Sequence, residues 1–148
     1  MYIESINTPI GTLAVHADES AILSIQYGMQ NGNSNYLTEM CITQLKEYFA
    51  GSRKVFDLPL AVVGTQFQKM VWQELVRVPF AETCSYSQIA ERIGRPKAQR
   101  AVGAANHVNK FPIVIPCHRI IGKGKDLAGY ALGLDKKAWL LSHEKITA

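Results

Sequence analysis

"SYSQIAERIGRPKAQRAVGAANH", Ser85 to His107, decides how this chain folds, because it sets two short helical segments either side of a glycine–arginine–proline break. Ser85 precedes a helical run and Gln88 stands three positions on, the spacing of a reciprocal N-terminal cap. The first helix therefore starts after Ser85 and is expected to run to Gly94, with Pro96 in the first turn of the next. Two short helices joined in this way read as a helix-turn-helix. The second carries Ala98, Ala101, Gly103, Ala104 and Ala105 around Arg100. Side chains this small let a helix backbone come close to another helix in a core, or to the groove of a nucleic acid. The pattern alone leaves both open.

On either side the texture differs. Phe67, Val71, Leu75 and Val78 form a helical apolar stripe stopped by Pro79, and a last helix carrying "KKAWLLSHE" is expected to start with Asp135 as its cap. Towards the N-terminus, "YIESI", "GTLAVHA" and "AILSIQYG" are β-rich runs separated by "NTPI" and "ADES", the pattern of an antiparallel meander. Cys41, Leu45, Tyr48 and Phe49 then share one helix face that Gly51 ends, which makes Cys41 a small core residue. "KVFDLPL" is expected to add a strand, and "AVVG" to link the halves. The expected class is α+β. Residues 1–63 form an N-terminal α/β domain with a small antiparallel sheet. Residues 64–148 form a mostly helical domain with a winged-helix-like helix-turn-helix.

Composition narrows the function classes. Of 148 residues, 47% are hydrophobic and 19% charged, values of a globular chain and not of a disordered one. No apolar run approaches the roughly 18 residues that span a bilayer, so no membrane partner is expected. The first residues carry Glu4 in place of a basic n-region, which argues against a secretory signal. Three cysteines, widely spaced and without a CxxC pair, fit neither a disulfide framework nor a cysteine-rich zinc site. A reducing, cytoplasmic setting is expected. Charge is asymmetric: residues 1–63 hold three bases against six acids, and residues 64–148 hold thirteen bases against six. A net +7 on the second part points to a polyanionic partner or to a solvated basic face.

"IPCHRIIGKGKDLAGY", Ile115 to Tyr130, brings the chemistry. A cysteine attacks only as its thiolate, and an ordinary thiol with a pKa of about 8.5 is mostly protonated at neutral pH. His118 can act as a base for Cys117 through a water molecule, Arg119 adds positive charge that favours the anion, and Glu144 on the last helix is a candidate to orient the imidazole. An inert buried cysteine is the competing reading. A metal pair is weaker, because His16, His107 and His143 do not stand at ligand spacing.

Taken together, "TPIGTLAV", "GTQFQKMVWQELVRVPF", "SYSQIAERIGRPKAQRAVGAAN", "IPCHRII", "GY" and "GLDKKAWLLSHE" resemble the O6-alkylguanine-DNA alkyltransferases over almost the whole chain. The resemblance implies repair of double-stranded DNA carrying O6-alkylguanine, and also O4-alkylthymine. The alkylated base is flipped out and its alkyl group moves irreversibly to Cys117, so each molecule acts once. It implies a monomer that binds mainly in the minor groove and needs no cofactor or metal. His118 would take the thiol proton through water and Glu144 would hold the imidazole. Tyr86 would donate to the base ring, and the N–H of Ala131 would face the departing oxygen. Tyr130 would line the pocket, and carbonyls near Cys117 and Ile120 would accept from the guanine amino group. Arg100 would fill the space left by the flipped base, with Ala98, Ala101 and Ala104 letting the helix into the groove. Asn109 would tie the end of that helix to the active-site loop.

Two positions depart from the family pattern. Lys110 stands where a proline is common, and Leu132 brings a branched side chain to the rim of the pocket, where small residues are usual. The zinc ligands of some members have no counterpart in the first domain.

Overall fold

The three β-rich runs pair as β1 (Tyr2–Thr8), β2 (Gly11–Ala17) and β3 (Ile22–Tyr27), an antiparallel sheet in the order β1-β2-β3. The structure is a computed structural model that describes residues 1–122, 130 and 132–148. It divides into two compact units, Met1–Val62 with Thr147, and Val63–Ile146 with Ala148. Thr8 faces Gly11 across the first hairpin, and Gly11 has φ of 107°. A Cβ there would also lie 2.6 Å from the hydroxyl of the exposed Tyr27 side chain, but it is the backbone conformation that calls for glycine. Asp18 closes the second hairpin by accepting from the N–H groups of Ser20 and Ala21.

Helix α1 (Tyr36–Phe49) covers the sheet. Asn35 and Thr38 cap it reciprocally, and Leu37, Cys41, Leu45 and Tyr48 are buried along its inner face. Cys41 thus belongs to the core. "KVFDLPL" does not form the expected strand. Gln44 holds Asp57 through both backbone groups at 2.9 Å, and pairing with the sheet is a single bridge between Leu60 and Ile22. Pro59 explains the brevity: its carbonyl accepts from Ile22, but it has no N–H to extend a ladder.

In the second unit, α2 (Gln66–Val76) is capped by Thr65 and Gln68 and buries Val71, Trp72 and Leu75. Ser85 caps α3 (Tyr86–Arg92) as its sequence predicts, with Gln88 reciprocating. The helix ends in a Schellman arrangement. Gly94, at φ of 75°, donates to Glu91 and Arg95 donates to Ala90. Pro96 is not in the first turn of the next helix. Ala98 donates to Arg95, so Pro96 lies in that turn, and α4 (Gln99–His107) starts three residues later. A two-residue parallel pairing joins β4 (Cys84–Ser85) to β5 (Ile120–Ile121).

The last helix, α5 (Leu134–Thr147), is capped by Gly133 and not by Asp135, which falls in its first turn. Gly133 at φ of 109° accepts from Lys137 N–H, a backbone path that Asp135 could not supply from two residues on. No helix among the described residues is long and apolar enough to cross a membrane. Because the Ser85 cap sets the position of Tyr86 at the first turn of α3, Ser85→Ala is expected to cost about 1 kcal/mol of stability. Urea unfolding measures it, and an unchanged midpoint would show that the cap contributes nothing.

Candidate active site and nucleic-acid face

Pro116 shapes the entry to the site. Its φ of −78° and ψ of 65° are those of an inverse γ-turn, closed by Cys117 N–H donating to Ile115 O at 2.7 Å. Proline suits this turn because its ring sets φ and no N–H is needed there. The chain then makes one 3-10 turn (Cys117–Arg119) in which all three side chains are buried. Ile113, before the turn, has φ of 74° and is 1% exposed. A β-branched residue in the left-handed region is strained and persists only where its surroundings over-determine it.

From α5, Lys137, Leu140 and Glu144 point inward along one stripe. Two charged residues on a buried stripe are rare unless they are paired. Glu144 is paired heavily. His118 Nε2 lies 2.6 Å from Glu144 Oε2, Arg119 Nε donates to Oε1 at 2.9 Å, and Arg119 Nη2 donates to Oε2 at 3.1 Å. Ala81 N–H reaches Oε1 at 3.2 Å, from a residue that is itself left-handed at φ of 68°. Arg119 Nη1 also donates to Val78 O, and its guanidinium lies over the Phe80 ring. Burial by itself would raise the Glu144 carboxyl, but the hydrogen bonds and charges of His118 and Arg119 outweigh it and hold it well below the carboxylate range.

This assigns the histidine tautomer. With Nε2 committed to a carboxylate, the proton sits on Nε2 and Nδ1 keeps its lone pair. Among the described residues, Nδ1 is buried with no hydrogen-bond partner. Burial pushes the His118 pKa below 6.5, with Arg119 and Lys137 adding to the effect and Glu144 opposing it. The imidazole is neutral at pH 7, as a base must be.

The Cys117 thiol, 4% exposed, is pushed up to about 11 by burial, with the Asn109 amide, the Lys137 charge and Tyr130 working in the opposite direction. It rests as a thiol and needs a base to react. The expected role of Arg119 is corrected here: its charge is spent on Glu144, and the cation felt by Cys117 is Lys137. Lys137 is fully buried, donates Nζ–H to Ile120 O, and is lowered to about 8 by burial. Tyr86 is raised by burial, with the charge of Cys117 adding to the effect. Tyr130 is 7% exposed; its hydroxyl feels Cys117 without a well-formed hydrogen bond.

Asn109 bridges as its sequence position suggests, donating to Ile115 O and accepting from Phe111 N–H, both at 2.9 Å. Asn106, one helical turn earlier on α4, was not singled out by sequence. It is 4% exposed, and its Nδ2 lies 3.4 Å from Cys117 O. The carbonyls expected to receive a base are therefore already engaged: Cys117 O by Ile120 N–H and Asn106, Ile120 O by Lys137. Ile120 itself is fully buried. Leu132 is half-buried, and Ala131 lies outside the described residues.

The outer face of α4 is a different surface. Arg100, Ala101, Ala104, His107 and Val108 are exposed, Ala98 is half-exposed at the helix start, and Val102, Ala105 and Asn106 face inward. Trp72 Nε1 holds the inner face through Ala105 O at 2.8 Å. Gly103 lies against the Tyr86 ring, where a Cβ would make ordinary contact at 3.5 Å. Arg100 makes no hydrogen bond or ion pair among the described residues, and Arg95, Lys97 and Lys110 are exposed near the two ends of the helix. No group of three or more metal-ligating side chains occurs among the described residues.

Two family models match the chain: the 6-O-methylguanine DNA methyltransferase ribonuclease-like domain over residues 1–62, and the DNA binding domain of the same proteins over residues 66–146. The chain belongs to the 6-O-methylguanine DNA methyltransferase family. It is 42% identical to the methylated-DNA–protein-cysteine methyltransferase of Methanosarcina acetivorans, covering 97% of this chain and 98% of that one. The constitutive methylated-DNA–protein-cysteine methyltransferase of Bacillus subtilis is also 42% identical, with 99% and 96% covered. Among solved structures, Mycobacterium tuberculosis OGT in complex with DNA superposes with a TM-score of 0.92 at 38% identity, covering 100% of this chain and 95% of that one.

Both acids of this family member's site act in the same direction with pH. The His118 and Glu144 pKa values are lowered on folding, so the unfolded chain binds more protons. Stability is therefore expected to fall as pH drops below about 6.5, and further below about 4.3 as Glu144 is forced to protonate. Glu144→Gln is expected to cost about 3–5 kcal/mol at pH 7, because Arg119 stays buried without its counter-charge. Urea unfolding at pH 7 and pH 5 reads both effects. A loss under about 1 kcal/mol in the variant would contradict the pairing.

Proposed function

We propose that this chain repairs DNA by moving an alkyl group from O6 of guanine, and from O4 of thymine, onto Cys117 in a single irreversible step. The observation that carries the reading is the buried Cys117–His118–Glu144 set, with the imidazole Nδ1 as its open acceptor. A water molecule relays the thiol proton to His118 Nδ1. Cys117 Sγ then attacks the alkyl carbon from the side opposite the C–O bond. The S–C bond forms, the C–O bond breaks with its electrons on the base oxygen, and the base takes up a proton as it leaves. Tyr86 donates to the base ring as that charge develops, and the Ala131 N–H serves the oxygen. No group in the site cleaves a thioether, so the protein is consumed.

Residues 64–148 act as the catalytic and DNA-binding domain, and residues 1–63 as the N-terminal domain. The small, basic outer face of α4 enters the minor groove of double-stranded DNA, with Ala98, Ala101 and Ala104 allowing close approach. Arg100 inserts where the alkylated base leaves the stack; its exposure, with no hydrogen bond or ion pair among the described residues, suits that task. Tyr130 and Leu132 wall the pocket. The protein acts as a monomer, and a reducing, cytoplasmic setting suits a reaction that needs a free thiol.

Incubation with a duplex carrying O6-methylguanine is expected to add one methyl group to the peptide containing Cys117 and to stop at one equivalent. Repeated turnover would make the protein a thiol hydrolase, and binding without a mass gain would make it a lesion sensor. Cys117→Ser is expected to lose transfer while still binding alkylated duplex, because a hydroxyl keeps the pocket's shape but is a far poorer nucleophile at neutral pH. For Arg100→Ala, the rate on duplex DNA is expected to fall much more than the rate on the free alkylated base. Equal losses on the two substrates would assign Arg100 to folding or to the chemical step.

A further inference from the structure

Lys110 stands three residues beyond α4, at one of the two positions where the chain departs from the family pattern. Its side chain is exposed, and neither its N–H nor its ammonium has a hydrogen-bond or ion-pair partner among the described residues. The residues on either side of it are held. Asn109 donates to Ile115 O and accepts from Phe111 N–H, both at 2.9 Å. Phe111 is 3% exposed, and its carbonyl accepts from Ile115 N–H at 2.8 Å. A positive charge is therefore mounted on a well-anchored corner that makes no use of it.

The other end of α4 is built alike. Arg95 and Lys97 precede the helix with exposed side chains, and residues 92–110 hold five bases and no acid. No neighbouring carboxylate in the sequence neutralises these charges. Between them the outward residues include Ala101 and Ala104, whose side chains are small. The nine residues of α4 span about 14 Å, so the cations bracket a low surface instead of covering it. That arrangement matches a groove, in which base edges form the floor and phosphates line both walls.

We infer that Lys110 is a phosphate-binding residue, whose ammonium contacts the DNA backbone beyond the C-terminal end of α4 as Arg95 and Lys97 do beyond the N-terminal end. This rests on the reading of α4 as the DNA-binding face. A phosphate contact carries no sequence information, so Lys110 adds affinity on damaged and undamaged duplex alike and fixes the helix along the groove. Asn109 ties the same corner to Ile115 O, two residues before Cys117. The backbone contact is thus made from the segment that leads into the reactive turn.

The test is the salt dependence of binding to an unmodified duplex, on which no transfer can occur. Each phosphate contact releases counterions, and between about 50 and 200 mM salt it loses about three- to fourfold in affinity. Lys110→Gln removes the charge and keeps a flexible polar side chain. It is expected to lower the slope of log K against log salt by about one, so its deficit against wild type shrinks by that same factor over the range. Lys110→Arg is expected to keep the wild-type slope. Lys46→Gln removes an equal charge from the exposed end of α1 and is expected to leave the slope unchanged. A slope does not depend on the active fraction of a preparation, so partial misfolding cannot imitate the result. A wild-type slope in Lys110→Gln, or an equal drop in Lys46→Gln, would overturn the assignment. Wild-type binding that ignored salt would instead refute the reading of α4 itself.

Discussion

A single buried carboxylate holds the second unit's chemistry together. Glu144 receives His118, Arg119 and the Ala81 N–H, and so joins α5 to the 3-10 turn and to the segment between α2 and β4. Desolvating this many charged groups is expensive, and the network tolerates it because every Glu144 lone pair meets a donor. Ala81, whose N–H reaches the carboxylate, is itself held in the left-handed region. The carboxylate also has a chemical consequence, because fixing the proton on Nε2 makes Nδ1 the only basic nitrogen of His118.

The other half of the design is a thiol that does not ionise at rest. Burial raises Cys117 to about 11 even though Asn109 and Lys137 work in the opposite direction. A standing thiolate would react with any electrophile that reached it. A neutral thiol beside a neutral imidazole becomes a nucleophile only when an alkyl carbon is in line and the proton can leave. For a protein used once, that restraint limits wasted molecules.

Much of this was legible in the sequence where local chemistry dictates structure. Alternation announced the meander, Ser85 and Gln88 announced the start of α3, and Cys41 fell on the buried face that its spacing indicates. The misreadings share a cause, which is backbone geometry that neighbouring residues impose. Asp135 has a capping side chain, but Gly133 reaches the required left-handed conformation two residues earlier. Pro96 fits a helix start, yet the Schellman ending at Gly94 uses it in a turn. "KVFDLPL" has strand-like composition, but Pro59 limits it to one bridge. Lys137 and Asn106 were invisible for a different reason. A lysine in "DKKAW" and an asparagine in "GAANH" look like solvated residues until the helix faces are known, and only burial turns them into site residues. Arg119 was read by its position next to Cys117, although its side chain leaves in the direction of Glu144 and Val78.

The central claim is that His118 waits as a neutral imidazole protonated on Nε2, with Nδ1 bare and without a hydrogen-bond partner among the described residues. Nitrogen-15 NMR of the imidazole in the unreacted protein tests it most directly, because protonated and bare ring nitrogens differ widely in shift. At pH 7 the spectrum of His118 is expected to show Nε2 protonated and Nδ1 bare, and to keep that form below pH 6.5, where an ordinary histidine is half charged. A His118 doubly protonated at pH 7, or protonated on Nδ1 alone, would contradict the account.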